Sequence, residues 1–153
     1  MAVNRKAAAA ALAIAIAVPA EGLRQYAYTD PPGILTVCYG HTGKDVVAGR
    51  KFSLEECNAF LNDDMRKAID TVERCHPGLP APVLAAFGDA VYNMGPSVAC
   101  NSTASRYLAA GRISDACNEL PRWVYAKVAG VNVKLPGLVK RRALERDLCL
   151  EGV

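Results

Sequence analysis

With 153 residues, 52% of them hydrophobic and 22% charged, the chain is long enough to bury one core, at most pinched into two lobes, and too apolar to be disordered. A formal net charge of +3 and a pI near 8.6 give a mildly basic surface that suits an anionic polymer and is too weak to argue for nucleic acid. Two histidines and six cysteines without a CxxC pair exclude a metal site of the usual spacing, and no phosphate-cradling glycine loop is present.

At the N-terminus, Arg5 and Lys6 precede fourteen residues without a charge, Ala7 to Ala20, in the basic-then-apolar order of an export signal. As a helix this segment reaches about 21 Å, short of a hydrocarbon core of about 30 Å. Only Leu12, Ile14, Ile16 and Val18 are strongly apolar, together worth about 2 kcal/mol on an insertion scale. The segment is therefore expected to hold a membrane only marginally. Val18-Pro19-Ala20 also resembles a signal-peptidase box, so cleavage before Glu21 is the rival reading.

The next stretch, Glu21 to Thr42, concentrates carboxylates, turn residues and hydroxyls. Pro31-Pro32-Gly33 forbids a helix and supplies a turn. Tyr26 to Thr29 and Ile34 to Tyr39 on either side are β-branched and aromatic with partial alternation, which predicts a β-hairpin. Glu21 then lies at a helix end, Asp30 at a bend and Thr36 on the returning strand. Two carboxylates on separate rigid elements suit glycoside hydrolysis: one protonates the leaving oxygen, the other works across the sugar ring, and a nearby hydroxyl holds the attacking water. Taken singly, each of the three reads as an ordinary helix-end, turn or strand residue.

Beyond a polar loop, Gly43 to Lys51, the residues Ser53-Leu54-Glu55-Glu56 form a capping box that opens a helix to about Cys75. Its apolar positions, Leu54, Cys57, Leu61, Met65, Ala68, Ile69 and Val72, recur at three and four and predict one buried stripe. A second helix is predicted over Ala81 to Met94. Asn101 or Ser102 then caps a helix to Ala110, and Ser114 caps another to about Leu120. Trp123 is read as a core aromatic in preference to a sugar-stacking one. Gly130 to Pro136 is read as a loop, followed by a last helix from Gly137 to about Cys149 with Leu138, Leu144 and Leu148 inward. Either Arg141 or Arg142 is expected to reach Glu21, where a cation would tune its acidity.

Six dispersed cysteines in a small chain point to an oxidising compartment and three disulfides, against six buried free thiols in a cytosolic protein. Cys38 to Cys57 and Cys100 to Cys117 join neighbouring predicted elements and are the expected pairs.

The combined pattern Glu-x8-Asp-x5-Thr, inside EGLRQYAYTDPPGILTVCYGHT, resembles the catalytic signature of the phage lysozymes, glycoside hydrolase family 24. DAVYNMG (Asp89 to Gly95), ELPRWVYA (Glu119 to Ala126) and GLVKRRALERDL (Gly137 to Leu148) extend the likeness over Glu21 to Leu148. The resemblance implies an α+β lysozyme-like fold, in which a small N-terminal lobe with a β-hairpin is joined by a connecting helix to a helical C-terminal lobe. It makes Glu21 the general acid, Asp30 the carboxylate that positions or activates water, and Thr36 the water-orienting hydroxyl. It also implies a structural pair between His41 and Asp64.

The implied reaction is hydrolysis of the β-1,4 bond between N-acetylmuramic acid and N-acetylglucosamine in peptidoglycan strands, by a monomer needing no cofactor. A lytic transglycosylase and a non-catalytic wall-binding module are the rivals. Residues 1–20 are similar to a signal-anchor-release segment, which exports such an enzyme uncleaved, tethers it transiently to the inner membrane and later releases it to the periplasm, with 21–153 the catalytic domain. Cleavage at Ala20 would remove the helix expected to hold Glu21, which argues against it.

Overall fold

The computed structural model describes residues 4–30 and 33–153, so Pro31 and Pro32 of the expected turn lie outside the described residues. The first helix, α1 (Arg5–Glu21), is longer than the uncharged segment and ends on the glutamate itself. Asn4 caps it by accepting from the amides of Lys6 and Ala7 at 3.0 and 3.3 Å. Its buried face is a stripe of Ala9, Ala13 and Ala17 with Ile16, and methyl side chains at every fourth position let a neighbouring helix approach closely. Pro19 sits inside its last turn without ending the helix.

Three antiparallel strands follow in the order β1 (Arg24–Thr29), β2 (Leu35–Cys38) and β3 (His41–Thr42). Tyr28 pairs with Thr36 and Thr29 with Leu35, and the register shifts between Tyr28 and Arg24, which faces Cys38. This small sheet carries the expected hairpin. The capping box at Ser53 is complete, its hydroxyl and the Glu56 carboxylate each bonded to the other's amide at 3.0 Å, and it starts α2 (Leu54–Cys75). Of the predicted stripe on α2, Cys57, Leu61, Met65, Ala68, Ile69 and Val72 are buried, whereas Leu54 is exposed because it lies in the first turn, short of the packed region.

Helix α3 (Ala81–Met94) is the centre of the large lobe. Every residue from Val83 to Val91 is buried, and α1, α2 and α7 all pack on it. Its Gly88 permits the contact with α2, since a Cβ there would come 2.3 Å from Ile69 Cδ1. Short helices α4 (Ser97–Cys100), α5 (Thr103–Ala109, capped by Ser102) and α6 (Ile113–Cys117) lead to a 3-10 turn at Leu120–Arg122. Ser114 is not the cap of α6 but lies inside it, with Arg112 preceding the helix. Half-buried Trp123 packs against the core, as read from the sequence.

The segment taken for a loop is a second hairpin, β4 (Tyr125–Val128) and β5 (Val131–Lys134), closed by Ala129 and Gly130. Both turn residues have positive φ, 51° and 80°, as a two-residue hairpin with the right twist requires. The last helix, α7 (Pro136–Glu151), also corrects the sequence reading. Its buried residues are Arg141, Arg142, Glu145 and Cys149, while Leu144 is exposed and Leu138 and Leu148 are half-buried. An ionic stripe occupies the core-facing side because each charge finds a partner there.

Three disulfides join Cys38 to Cys57, Cys75 to Cys100 and Cys117 to Cys149. The first is as expected. The expected Cys100–Cys117 pair is incorrect, because Cys100 at the end of α4 faces the end of α2, and Cys117 on α6 faces α7. Among the described residues no helix is long and apolar enough to cross a membrane.

Candidate active site

Glu21 is the last residue of α1, and Gly22 behind it has φ 72°, which turns the chain straight into β1. Its carboxylate lies against the turn between β2 and β3. A Cβ on Gly40 would come 3.1 Å from Glu21 Oε2, and Gly40 itself has φ 84°, so both the approach and the backbone require glycine there. On the other side Arg141 Nη1 donates to Glu21 Oε1 at 2.5 Å. The question left open between Arg141 and Arg142 is thus resolved: Arg142 turns away and pairs with Glu145 at 2.5 and 2.8 Å.

Arg141 is itself held. Its Nε and Nη2 donate to the two oxygens of fully buried Asp89, both at 2.9 Å, leaving Nη1 for Glu21. Burial disfavours the charge on Arg141, but Asp89 and then Glu21 outweigh it and hold the guanidinium pKa above its ordinary value. Glu145 shifts in the same direction: burial, and then its hydrogen bond with Asp89, push its pKa well up against the opposing Arg142.

Tyr92 on α3 faces the same carboxylate. Burial first, and then the negative charge of Glu21 and Asp64, push its pKa well up, so it stays a neutral donor, and its hydroxyl donates to the Tyr39 carbonyl. Glu21 also borders a recess of about 720 Å³, walled by Ile16, Pro19, Asn93, Leu135 and Leu138. Asn93 Oδ1 is buried without a hydrogen-bond partner among the described residues. Sequence reasoning singled out DAVYNMG as a motif but did not assign Asp89 or Asn93 a place beside Glu21.

Asp30 closes the first hairpin. Its Oδ1 accepts from the Ile34 amide at 2.8 Å and its own amide donates to the Ile34 carbonyl at 3.0 Å. Thr36 is buried, and its hydroxyl donates to the Ile34 carbonyl at 2.9 Å, leaving lone pairs to accept from a water. Tyr28 ties the pieces together. It faces Thr36 across the ladder, and its pKa is pushed up by burial, then by Glu21, and by Asp30, against the nearby Arg24. The two carboxylates therefore act on one phenol from different elements.

Beneath the sheet, His41 is sandwiched between Asp64 (Nδ1 to Oδ2, 2.6 Å) and Asp45 (Nε2 to Oδ1, 2.8 Å), with its ring stacked on Phe60 at 3.9 Å. Burial works against the imidazolium, yet the two carboxylates outweigh it and raise the His41 pKa. This is the structural pair expected with Asp64, with Asp45 as a second partner.

A helical lobe, a small antiparallel sheet and an arginine-held glutamate between them define a lysozyme-like glycosidase. The profile of the phage lysozyme family matches residues 19–145, and the chain belongs to that family. It is 41% identical over 136 residues to a SAR-endolysin of bacteriophage PS119, covering 86% of this chain and 77% of the relative. Among solved structures it is similar to the muramidase domain of SpmX from Asticcacaulis excentricus, with 28% identity, a TM-score of 0.79, and 94% and 95% of the two chains covered. The active form of the P1 phage endolysin Lyz superposes with a TM-score of 0.81 at 25% identity over 92% of this chain and 84% of that one. The secreted inactive form of that endolysin reaches 0.54 over 72% and 76%.

Proposed function

We propose that Glu21 is the general acid of a muramidase that hydrolyses the β-1,4 bond between N-acetylmuramic acid and N-acetylglucosamine in peptidoglycan, acting in host lysis. Glu21 gives its proton to the glycosidic oxygen as the bond to the anomeric carbon breaks. Asp30 and the Thr36 hydroxyl order the water whose oxygen bonds to that carbon as Asp30 takes its proton, and solvent exchange returns Glu21 to its protonated and Asp30 to its ionised form. The observation that carries this reading is the mounting of Glu21 on a helix end, held by Arg141 and lying against Gly40 in the turn that follows the strand of Thr36. Peptidoglycan gel zymography tests it: Glu21→Gln should lose at least about 100-fold in activity while remaining folded, since an amide cannot donate the proton. Asp30→Asn should cost nearly as much and Thr36→Ala less. Activity above about a tenth of wild type in Glu21→Gln removes the residue from that role. Anhydro sugar in the product would point to the transglycosylase instead.

The same proposal extends to α1. Residues 7–20 tether the exported enzyme weakly to the inner membrane and then leave it uncleaved, so that the periplasmic enzyme is the docked form. Supporting this are the buried alanine stripe, the small apolar content of the segment, and the fuller superposition on the active than on the inactive form of Lyz.

A further inference from the structure

The β4–β5 hairpin has two unlike faces. Residues directly opposite in an antiparallel pair project to the same side, and successive pairs alternate. The pairs Val128 with Val131 and Ala126 with Val133 therefore make one entirely aliphatic face. The pairs Tyr125 with Lys134 and Lys127 with Asn132 make the other. The aliphatic face is not used by the fold: Val131 is 63% exposed, and Val128 and Val133 are exposed as well. Beside it stand Lys127, Lys134 and Lys140, which form no ion pair among the described residues, and Lys134 and Lys140 flank a shallow apolar notch at Pro136 and Val139. From Trp123 to Leu144 there is no acidic residue. This stretch therefore carries a local excess of positive charge from Lys127, Lys134 and Lys140.

We infer that the hairpin docks on an anionic phospholipid surface, entering tip-first with Val128 and Val131 while Lys127, Lys134 and Lys140 reach the headgroups. Aliphatic side chains at a charge-free tip, with long cationic side chains set back from it, match the layering of a bilayer interface. A glycan fits this face poorly, because valine and alanine offer its hydroxyls no hydrogen-bond partner. A second copy also fits poorly. Four small side chains fall well short of the roughly 800 Å² per partner of a stable interface, and the lysines of two copies would repel. The inference is independent of the catalytic assignment. Leu135, which follows β5, lines the recess beside Glu21, so docking would bring the cleft to the bilayer face.

The test is co-sedimentation of the full folded chain with phosphatidylcholine vesicles, with and without phosphatidylglycerol. Three proteins are compared: wild type, Val128→Thr/Val131→Thr, which keeps β-branched strand residues, and Lys127→Gln/Lys134→Gln/Lys140→Gln. Wild type should prefer the phosphatidylglycerol vesicles. The lysine variant should lose about fivefold in partitioning per lysine, about a hundredfold in all, and the valine variant about tenfold. Lysis of purified peptidoglycan without lipid should be unchanged in the valine variant, whose two residues do not line the recess beside Glu21. Undiminished vesicle binding by both variants overturns the proposal, because α1 would then be the anchor. So does hairpin-dependent pelleting with purified peptidoglycan but not vesicles, or a valine-dependent dimer.

Discussion

Alanine-to-leucine substitution in α1 can be done on two faces that a membrane would not distinguish but the folded enzyme does. Ala7, Ala11 and Ala15 are exposed, whereas Ala9, Ala13 and Ala17 are fully buried, and each set repeats at every fourth residue. Either triple adds about 1.5 to 2 kcal/mol of membrane preference, roughly a 10- to 30-fold shift toward the bilayer. The buried triple also forces three side chains into a packed helix contact, at about 1 to 3 kcal/mol each, so it destabilises the docked form by about 3 to 9 kcal/mol. Fractionation of expressing cells into membrane and soluble pools, with lysis followed by turbidity, reads both effects. The exposed triple should delay release and leave a normally active soluble fraction. The buried triple should be trapped, with an inactive soluble remainder. Equal partitioning of the two triples would mean that the docked seat of α1 does not compete with the bilayer. A wild type that is wholly soluble and begins at Glu21 would make the segment an ordinary signal peptide.

Three further outcomes follow from the site and the disulfides. The His41 pKa is raised in the folded state, so its stabilisation is complete below the unfolded value near 6.5 and is lost as pH rises through the higher folded value. The Asp45 pKa is lowered, chiefly by its bond to His41, so its contribution holds above the ordinary value of 3.8 and fades as pH falls through the folded one. Melting temperature should therefore decline above about pH 6.5 in wild type, and a flat profile there in wild type, or an equal decline in His41→Gln, would contradict the pair. Removing Cys117–Cys149, which spans 32 residues, should cost about 3 to 4 kcal/mol, and non-reduced peptide mapping should link those two cysteines, not Cys100 with Cys117. Arg141→Met should destabilise by about 3 to 5 kcal/mol by stranding Asp89, and Asp89→Leu added to it should recover stability but not lysis. Recovery of both would show that Arg141 matters only to folding.

The parts legible in the sequence were those fixed by local chemistry: the capping box at Ser53, the three- and four-residue stripe of α2 and the Gly33 end of the first hairpin. The Glu21, Asp30 and Thr36 triplet was legible as a spacing, and their common relation to Tyr28 became visible only once β1 and β2 were paired. The inward face of α7 was not legible, because periodicity favours leucines inside. That helix instead buries two arginines and a glutamate, which is stable only through a partner, Asp89, 52 residues away. The β4–β5 hairpin was hidden because its turn carries Ala129 where glycine or asparagine would have signalled it. Disulfide partners depend on where α4 and α6 dock, which no spacing encodes.

Glu21 ends α1, so its place beside Arg141 depends on that helix being packed, and the buried charges account for how the helix is held. In the interior Arg141 holds both Asp89 oxygens and reaches Glu21 with its remaining Nη1, while Arg142 is paired with Glu145. Undocking α1 withdraws Glu21 and leaves the buried Nη1 of Arg141 without that partner, a cost that the weakly apolar α1 need not supply from its own packing. The helix that brings the acid is thus drawn in by the arginine that holds it. At the other end Arg5 pairs with Glu73 at 2.5 Å and bonds the Leu79 carbonyl at 2.8 Å, while Lys6 pairs with Asp70 at 2.8 Å. The two basic residues that read as the start of an export signal therefore serve in the docked enzyme as the other end of the same clamp. The buried alanine stripe of α1 is thus flanked by an ionic contact at each end of the helix, and together they seat Glu21 beside Arg141.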